Sequence, residues 1–171
     1  PYTTLFRSVF NHSDRDLTDY LERLKKAIDK EGVKVVQCKA VEELVRNSDI
    51  ICTTTPSTTP VLPDDKELLR GKCIIAIGSY MPEMREIPDA VLDLVDNVYI
   101  ELPYACEESG DLSQPLASGK LTKDRVKLMH EYLVSGEKEI KEGQTTYFKS
   151  VGMGLFDVCI AQKLYEVAKE K

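Results

Sequence analysis

Apolar runs and helix-spaced patterns alternate along the first half of the chain. The alternation predicts a strand over Val33–Gln37, a short helix over Val41–Arg46 and another strand over residues 49–52. A short β-like run also ends just before Asn11, and a helical pattern follows it. These segments form a βαβαβ unit, which favours a parallel sheet with helices packed on its faces.

The helix predicted after the first strand has its own boundary signals. Its apolar residues recur at helical spacing and are Leu17, Tyr20, Leu21, Leu24 and Ile28. Ser13, followed three residues later by Asp16, is expected to form a capping box at the start of the helix. Gly32 is expected to end it.

The second half of the chain continues the alternation. The predicted elements are a helical turn over residues 65–69, a strand buried on both faces over 72–77, a helix over Asp89–Leu94, a strand over 97–100, and helices over 124–133 and 153–168. Residues 107–120 contain two glycines and Pro115 and are harder to assign. The whole pattern predicts an α/β fold.

Composition limits the partners that the chain can have. Its 171 residues, 42% of them apolar, are enough for one domain with one core. A net charge of −6 argues against nucleic acid and against an anionic membrane as principal partner. Because no apolar stretch approaches the ~20 residues that span a bilayer, and no signal segment opens the chain, we expect a cytoplasmic protein.

The cysteines and histidines give no sign of a metal site. The five cysteines are an odd number without a C-x-x-C pair, so we interpret them as small buried hydrophobes in a reducing compartment. His12 and His130 are the two histidines, and they lie far apart in sequence. A zinc site is therefore not predicted.

The first eight residues, PYTTLFRS, look like the translation of a short-read sequencing adaptor. We therefore interpret residues 1–8 as non-native and leave them out of the predicted fold. On this interpretation the natural sequence before Val9 has been lost, and the chain is a carboxy-terminal fragment.

Two predicted strands end in residues that let a backbone approach a ligand closely. The strand over residues 49–52 runs into small hydroxylic residues, which are Thr53, Thr54, Thr55 and Ser57. The strand over 72–77 ends at Ile77, Gly78 and Ser79. In a doubly wound sheet ligands bind at the carboxyl ends of the strands, so a nucleotide is expected there. A hydroxyl-rich turn bent by Pro56 is the alternative for the first segment.

Several motifs together resemble the ornithine cyclodeaminase/mu-crystallin family. They are Asn11-His12-Ser13, Ser48-Asp49-Ile50-Ile51 with the threonines that follow, Ala76-Ile77-Gly78-Ser79 with Pro82, Arg85 and Glu86, the block from Glu107 to Asp111, and Phe148-Lys149-Ser150-Val151-Gly152. The resemblance runs from Val9 to about Ala168. It implies a Rossmann-like doubly wound parallel sheet that binds NAD or NADP.

The resemblance also implies a domain arrangement. Residues 9–147 would be a partial nucleotide-binding domain, and 148–171 a helix that packs back on a substrate domain absent from this chain. The first strand and the glycine-rich loop of the family would precede residue 9. Since that strand is central in a 3-2-1-4-5-6 sheet, we expect two half-sheets with unpaired inner edges, and a poorly stable chain. Full-length relatives are expected to be homodimers through the missing domain.

The same resemblance assigns cofactor contacts. Asn11, His12 and Ser13 would lie at the adenosine ribose, where an acidic residue usually binds the 2′-hydroxyl of NAD. Since these residues are neutral, NADP is slightly favoured, although Ser13 also suits a simple helix cap. Ser150 and Gly152 are expected to open the last helix, where their amides would face the nicotinamide or the substrate, or would simply cap the helix.

The chemistry implied is hydride transfer at the α-carbon of an amino or imino acid. Tyr80 stands where ornithine cyclodeaminases of the family have a catalytic aspartate, and it can donate a proton to a developing amine; packing or lid surface is the alternative. Glu108 matches an acidic residue near the family's ligand pocket, with solvated helix surface as its alternative.

Three functions remain open for a protein of this family. The first is an NAD(P)-dependent amino or imino acid oxidoreductase, with this fragment alone inactive. An ornithine cyclodeaminase, which releases ammonia and forms proline with catalytic NAD, is the second. A nucleotide-dependent ligand-binding protein similar to mu-crystallin is the third.

Overall fold

The computed structural model describes residues 5–13, 15–28, 33–136 and 140–169. Seven strands occur there: β1 Leu5–Val9, β2 Val33–Gln37, β3 Ile50–Thr53, β4 Cys73–Ala76, β5 Val98–Ile100, β6 Val126–Leu128 and β7 Thr146–Lys149. The helices are α1 Thr18–Ile28, α2 Val41–Arg46, α3 Lys66–Leu69, α4 Asp89–Leu94, α5 Ala105–Glu108, α6 Gly110–Ser118, α7 Met129–Ser135 and α8 Gly154–Lys169.

The strands form two separate parallel sheets. One contains β1 and β2, and the other contains five strands in the order β3-β4-β7-β5-β6. This confirms the α/β class and the expected split into two half-sheets. Within the described residues, β1 pairs only with β2, and β3 pairs only with β4. The backbone groups on the other edge of β1 and of β3 therefore have no strand partner there.

The five-stranded sheet contains the core. Its buried strand residues include Ile74, Val98 and Tyr147, each with no exposed surface. Helices cover the sheet through Val91 and Leu112, which are also fully buried. Apolar residues on successive positions of β5 are all buried, as expected for a parallel strand covered on both faces.

Most element boundaries agree with the sequence predictions to within one or two residues, one predicted helix is wrong, and two segments carried no assignment. The helix predicted over residues 124–133 is instead a 3-10 turn at Lys123–Arg125, then β6, then α7. Residues 107–120 contain α5 and α6, and Pro115 lies inside α6. The segment before Ser150 is a strand, β7, which lies at the centre of the large sheet.

The predicted capping box is wrong. The Asn11 side chain accepts the Ser13 amide at 3.3 Å, whereas the helix begins at Thr18, whose amide donates to the Asp16 carboxylate at 2.9 Å. Asp16 rather than Ser13 provides the acceptor, because its carboxylate lies two residues before the first helical residue, where an acceptor is needed. Gly32 and residues 1–4 lie outside the described part of the chain, while β1 begins at Leu5.

The last helix has no cover. Each described residue of α8 is exposed, including Leu155, Val158 and Leu164, which are 58–65% exposed. Among the helices that the structure describes, none is long and apolar enough to cross a membrane. The apolar side chains of α8 are therefore free to pack against another surface.

Candidate functional site

Four strands end side by side at one edge of the large sheet. Thr53 pairs with Ala76 in the ladder, Ala76 pairs with Lys149, and Lys149 pairs with Ile100. Because the strands are parallel, the residues that follow these four also meet at this edge, which we call the carboxyl edge. It brings together the predicted site residues of the large sheet, which are Thr53, Thr54, Thr55, Ile77, Gly78, Ser79, Ser150 and Gly152.

The side chain of Glu86 joins the ends of β3 and β4. Its carboxylate is fully buried and accepts the Thr53 hydroxyl at 2.9 Å, the Thr55 amide at 2.5 Å and the Gly78 amide at 2.8 Å. Three donors satisfy a buried carboxylate that would otherwise be costly to desolvate. As a result, the Thr53 hydroxyl and both amides point into the protein rather than toward a ligand.

Gly78 is required by this packing. A Cβ atom at Gly78 would overlap the backbone oxygen and nitrogen of Thr55 and would lie 2.6 Å from a Glu86 oxygen. The absence of a side chain therefore lets the ends of β3 and β4 close around Glu86. Gly78 thus approaches Thr55 closely, and its approach to a nicotinamide stays a prediction.

A second carboxylate holds Glu86 in place. Asp111, at the start of α6, accepts the backbone amides of Glu86 and Ile87 at 2.7 and 2.9 Å. Its other oxygen lies 3.6 Å from the ammonium of Lys149, and both side chains are fully buried. Lys149 also donates to the Ala76 carbonyl at 3.3 Å. The pair thus joins β7, β4 and α6 below the carboxyl edge.

Burial shifts the ionisation of this group. Desolvation raises the pKa of Asp111, and the amides of Ile87 and Glu86 and the charge of Lys149 oppose the rise. Desolvation lowers the pKa of Lys149, against the attraction of Asp111 and Glu86. The pKa of Tyr147 lies well above its usual value, again mainly through burial, and its hydroxyl has no hydrogen-bond partner within the described residues.

Glu101 closes the other end of the carboxyl edge. One oxygen of its nearly buried carboxylate accepts the Ser150 hydroxyl and the amides of Val151 and Gly152, each at 2.7 Å. The other oxygen is buried and has no partner among the described residues. The prediction that Ser150 and Gly152 open the last helix is therefore corrected: α8 begins at Gly154, and these donors bind Glu101.

The remaining site residues differ in their surroundings. Ser79 is fully buried, and its hydroxyl bonds to the Met84 carbonyl and to Ser109, each at 2.8 Å. The Ser57 hydroxyl donates to the Thr59 carbonyl at 2.7 Å. Thr54 and Ile77 are exposed on the edge. Neither Ser79 nor Ser57 presents an uncommitted hydroxyl.

The candidate chemical residues lie near the edge but outside the buried network. Tyr80 follows Ser79 and is 52% exposed, and Glu108 is the partly buried last residue of α5. Asn11, His12 and Ser13 are exposed after β1, in the other sheet. No group of three metal-binding side chains occurs among the residues that the structure describes.

The buried acids and the lysine were not predicted from sequence. Glu86, Asp111 and Lys149 stand in the motifs that carry the resemblance, but charged residues are ordinarily solvated. The alternation of side chains along β7 could have indicated that Lys149 is buried. Tyr147 and Lys149 are two residues apart in this strand, so both lie on its buried face.

Comparison with known proteins agrees with these motifs. The model of the ornithine cyclodeaminase/mu-crystallin family matches residues 9–171. A Delta(1)-pyrroline-2-carboxylate reductase of Bacillus cereus is 37% identical over 136 residues, which are 78% of this chain and 41% of the relative. The ketimine reductase mu-crystallin of Rattus norvegicus is 33% identical over 129 residues, covering 75% of this chain and 39% of the relative.

A solved structure shares the fold. The Delta(1)-pyrroline-2-carboxylate reductase of Thermococcus litoralis, in complex with NADH and L-proline, superposes with a TM-score of 0.83 at 22% identity. The match covers 97% of this chain and 51% of that one. The chain therefore spans about two fifths of the length of these curated relatives and half of the solved one.

Proposed function

Because the chain belongs to the ornithine cyclodeaminase/mu-crystallin family, we propose that it forms the nucleotide-binding part of an NAD(P)-dependent reductase of imino acids. The observation that carries the proposal is the carboxyl edge, where four parallel strands end in register around Gly78 and the threonines. Nucleotides bind at such edges in doubly wound sheets. The similarity to the Bacillus cereus reductase supports an imino acid as substrate.

The residues of the edge fit the nucleoside parts of the cofactor. Glu86 and Glu101 take up the amides of Thr55, Gly78, Val151 and Gly152, so these amides are not available to bind an anion, and in this proposal carbonyl oxygens of the edge would contact the cofactor. Carbonyl oxygens suit ribose hydroxyls and a carboxamide, both of which donate hydrogen bonds. When bound there, the nicotinamide would supply the hydride, and the protein would hold it in place.

The candidate residues outside the buried network have the following roles in this proposal. Asn11, His12 and Ser13 would contact the adenosine ribose, and their lack of an acidic side chain leaves room for the 2′-phosphate of NADP. Tyr80 would donate a proton to the nitrogen of the reduced imine, and Glu108 would contact the substrate. The exposed apolar side chains of α8 would pack against a substrate-binding domain that also forms a homodimer.

Ornithine cyclodeamination is a second candidate within the family. In that reaction the hydride leaves the α-carbon, ammonia is lost, and the hydride returns, so there is no net redox change. Tyr80 argues against it, because a tyrosine is a poor base at neutral pH. A protein that only binds nucleotide and ligand is the third candidate.

Fluorescence titration with NADH and NADPH tests the nucleotide site directly in this chain. Saturable binding is expected, and its loss in a Thr54→Trp variant, which fills an exposed position of the edge and is shown to be folded, would place it at the carboxyl edge. Absence of saturable binding in a chain shown to be folded by circular dichroism would contradict the proposal.

Turnover separates the three functions in the protein that carries this chain. Net oxidation of reduced nicotinamide with Delta(1)-pyrroline-2-carboxylate supports the reductase. Ammonia released from ornithine without net change in nicotinamide supports the cyclodeaminase. Binding without either reaction supports the ligand-binding protein.

A further inference from the structure

The carboxyl edge carries an excess of buried negative charge. Among the described residues, the buried charged side chains are Glu86, Glu101, Asp111 and Lys149, that is, three acids and one base. Asp111 and Lys149 face each other at 3.6 Å. The nearby Arg85 pairs with Asp89. The carboxylates of Glu86 and Glu101 accept hydrogen bonds from neutral donors, which stabilise their charge without cancelling it. Lys149 attracts all three buried acids, so its single positive charge offsets only part of their negative charge.

The two carboxylates lie directly under the positions where strands end. Glu86 bonds to the tips of β3 and β4, and Glu101 bonds to three successive residues after β7. Buried charges are screened by solvent and salt far less than surface charges. Their field therefore extends to whatever lies on the edge.

The two states of nicotinamide respond differently to this field. The oxidised ring carries one positive charge, whereas the reduced ring is neutral. A negative field attracts the first and leaves the second nearly unaffected. Since the proposed function places nicotinamide at this edge, the buried carboxylates would discriminate between the two redox states.

We propose, on the basis of that function, that Glu101, with Glu86 beneath the neighbouring strands, is a specificity-determining residue that makes the site favour oxidised over reduced nicotinamide. Of the two carboxylates, Glu101 is expected to have the larger effect, because one of its oxygens has no hydrogen-bond partner among the described residues. It also bonds to Ser150 and Gly152, which the family resemblance places toward the nicotinamide or the substrate.

The test is a pair of binding titrations on the chain, with NAD+ and with NADH as probes, in the unchanged protein and in Glu101→Gln. The amide of glutamine keeps an oxygen for the Ser150, Val151 and Gly152 donors and removes the charge. We expect NAD+ to bind roughly three- to tenfold more weakly and NADH to bind almost as before. Calorimetry measures both affinities without any turnover.

Controls separate charge from structure. Glu67→Gln removes an exposed charge on α3 and is expected to leave both affinities unchanged. Glu101→Asp keeps the charge and is expected to retain the preference for NAD+. If Glu101→Gln weakens both probes equally, or neither, the inference is wrong while the nucleotide site stands.

The failure of the proposed function gives a different result. A folded, unchanged chain that binds neither NAD+ nor NADH would overturn the site itself, and the inference with it. Glu86→Gln provides a second measurement, with a smaller shift in the same direction. Glu86 makes three hydrogen bonds at the strand ends, so its replacement can prevent folding. In that case Glu101→Gln decides the question alone.

Discussion

The two sheets are built from the same βα pattern, yet they differ in how much they bury. The five-stranded sheet has fully buried residues on β4, β5 and β7, such as Ile74, Val98 and Tyr147. In the unit β1-α1-β2, the described side chains of the strands are at most partly buried, and α1 has no buried residue. A strand pattern therefore determines the local structure, whereas burial depends on having neighbours on both sides.

The difference extends to polar groups. The large sheet encloses an ion pair and two further carboxylates, whereas the polar contacts around α1 are exposed. Buried polar networks specify a single arrangement when every member is satisfied. We expect the large sheet to be the rigid part of the molecule and the small sheet to be the part that opens first.

The largest effect is expected from Lys149→Met. Removal of the ammonium leaves Asp111 as an uncompensated buried charge, which should lower the free energy of unfolding by about 3–5 kcal/mol. Urea denaturation measures the loss. The matched control in the small sheet is Lys34→Met at an exposed position of β2, with an expected change within about 0.5 kcal/mol. Equal losses for the two variants would contradict the comparison.

Gly78→Ala is expected to cause the second-largest loss of stability. The added methyl group overlaps the backbone of Thr55, so the tips of β3 and β4 must separate, at about 2–3 kcal/mol of unfolding free energy. Gly154→Ala is the control, because nothing lies within 4 Å of its Cβ position at the start of α8. A Gly78→Ala variant that is as stable as the control would show that the strand ends adapt freely.

Hydrogen exchange compares the two sheets in the unchanged chain. Amides of Ile74 and Tyr147 should exchange roughly thirtyfold more slowly than those of Val35 and Val36, a difference of about 2 kcal/mol in opening free energy. Mass spectrometry or NMR measures the rates. Equal protection in β2 and β7 would mean that the two sheets open together.

The smallest effect is expected at the surface of the helices that flank the large sheet. Asp93 lies 2.6 Å from both Lys66 and Lys120, and their hydrogen bonds hold its pKa below the usual 3.8. A lowered pKa contributes stability above about pH 4 that is lost as the pH falls through the folded value. Since these side chains are partly exposed, Asp93→Asn should cost about 0.5–1 kcal/mol at neutral pH.

Unfolding measured at neutral pH and below about pH 3 checks the direction of this effect. The difference between the unchanged chain and Asp93→Asn should disappear in acid and shrink in high salt. Asp157→Asn, on exposed α8, is the control and should show no such dependence. A loss as large as that of Lys149→Met would mean that surface pairs, not the buried network, distinguish the large sheet.

Local patterns predicted most of the elements. The bounds of β2, α2 and α4 agree with the sequence prediction, because each has a clear period and turn residues beside it. The mistake at residues 124–133 has a physical cause. A run of apolar positions there serves first as β6 beside β5 and then as α7, and only the neighbouring strand decides which residues extend.

The meeting of the strand ends was predicted, whereas the hydrogen bonds that hold them together were not, and a nucleotide site there stays a prediction. Strand ends rich in threonine and glycine indicated the carboxyl edge, because parallel strands end together. The partners of those residues come from elsewhere in the chain: Glu86 bonds to Thr53 across 33 residues, and Asp111 to Glu86 across 25. Such contacts depend on tertiary packing, and a single sequence carries no period that encodes them.

The position of β7 has a consequence for how the molecule is made. Among the described strands it comes after the six others, yet it lies between β4 and β5, which are synthesised about 50 to 75 residues earlier. During translation β4 and β5 must each keep an unpaired edge until β7 leaves the ribosome. The nascent chain is thus exposed to premature association with other chains until β7 is inserted.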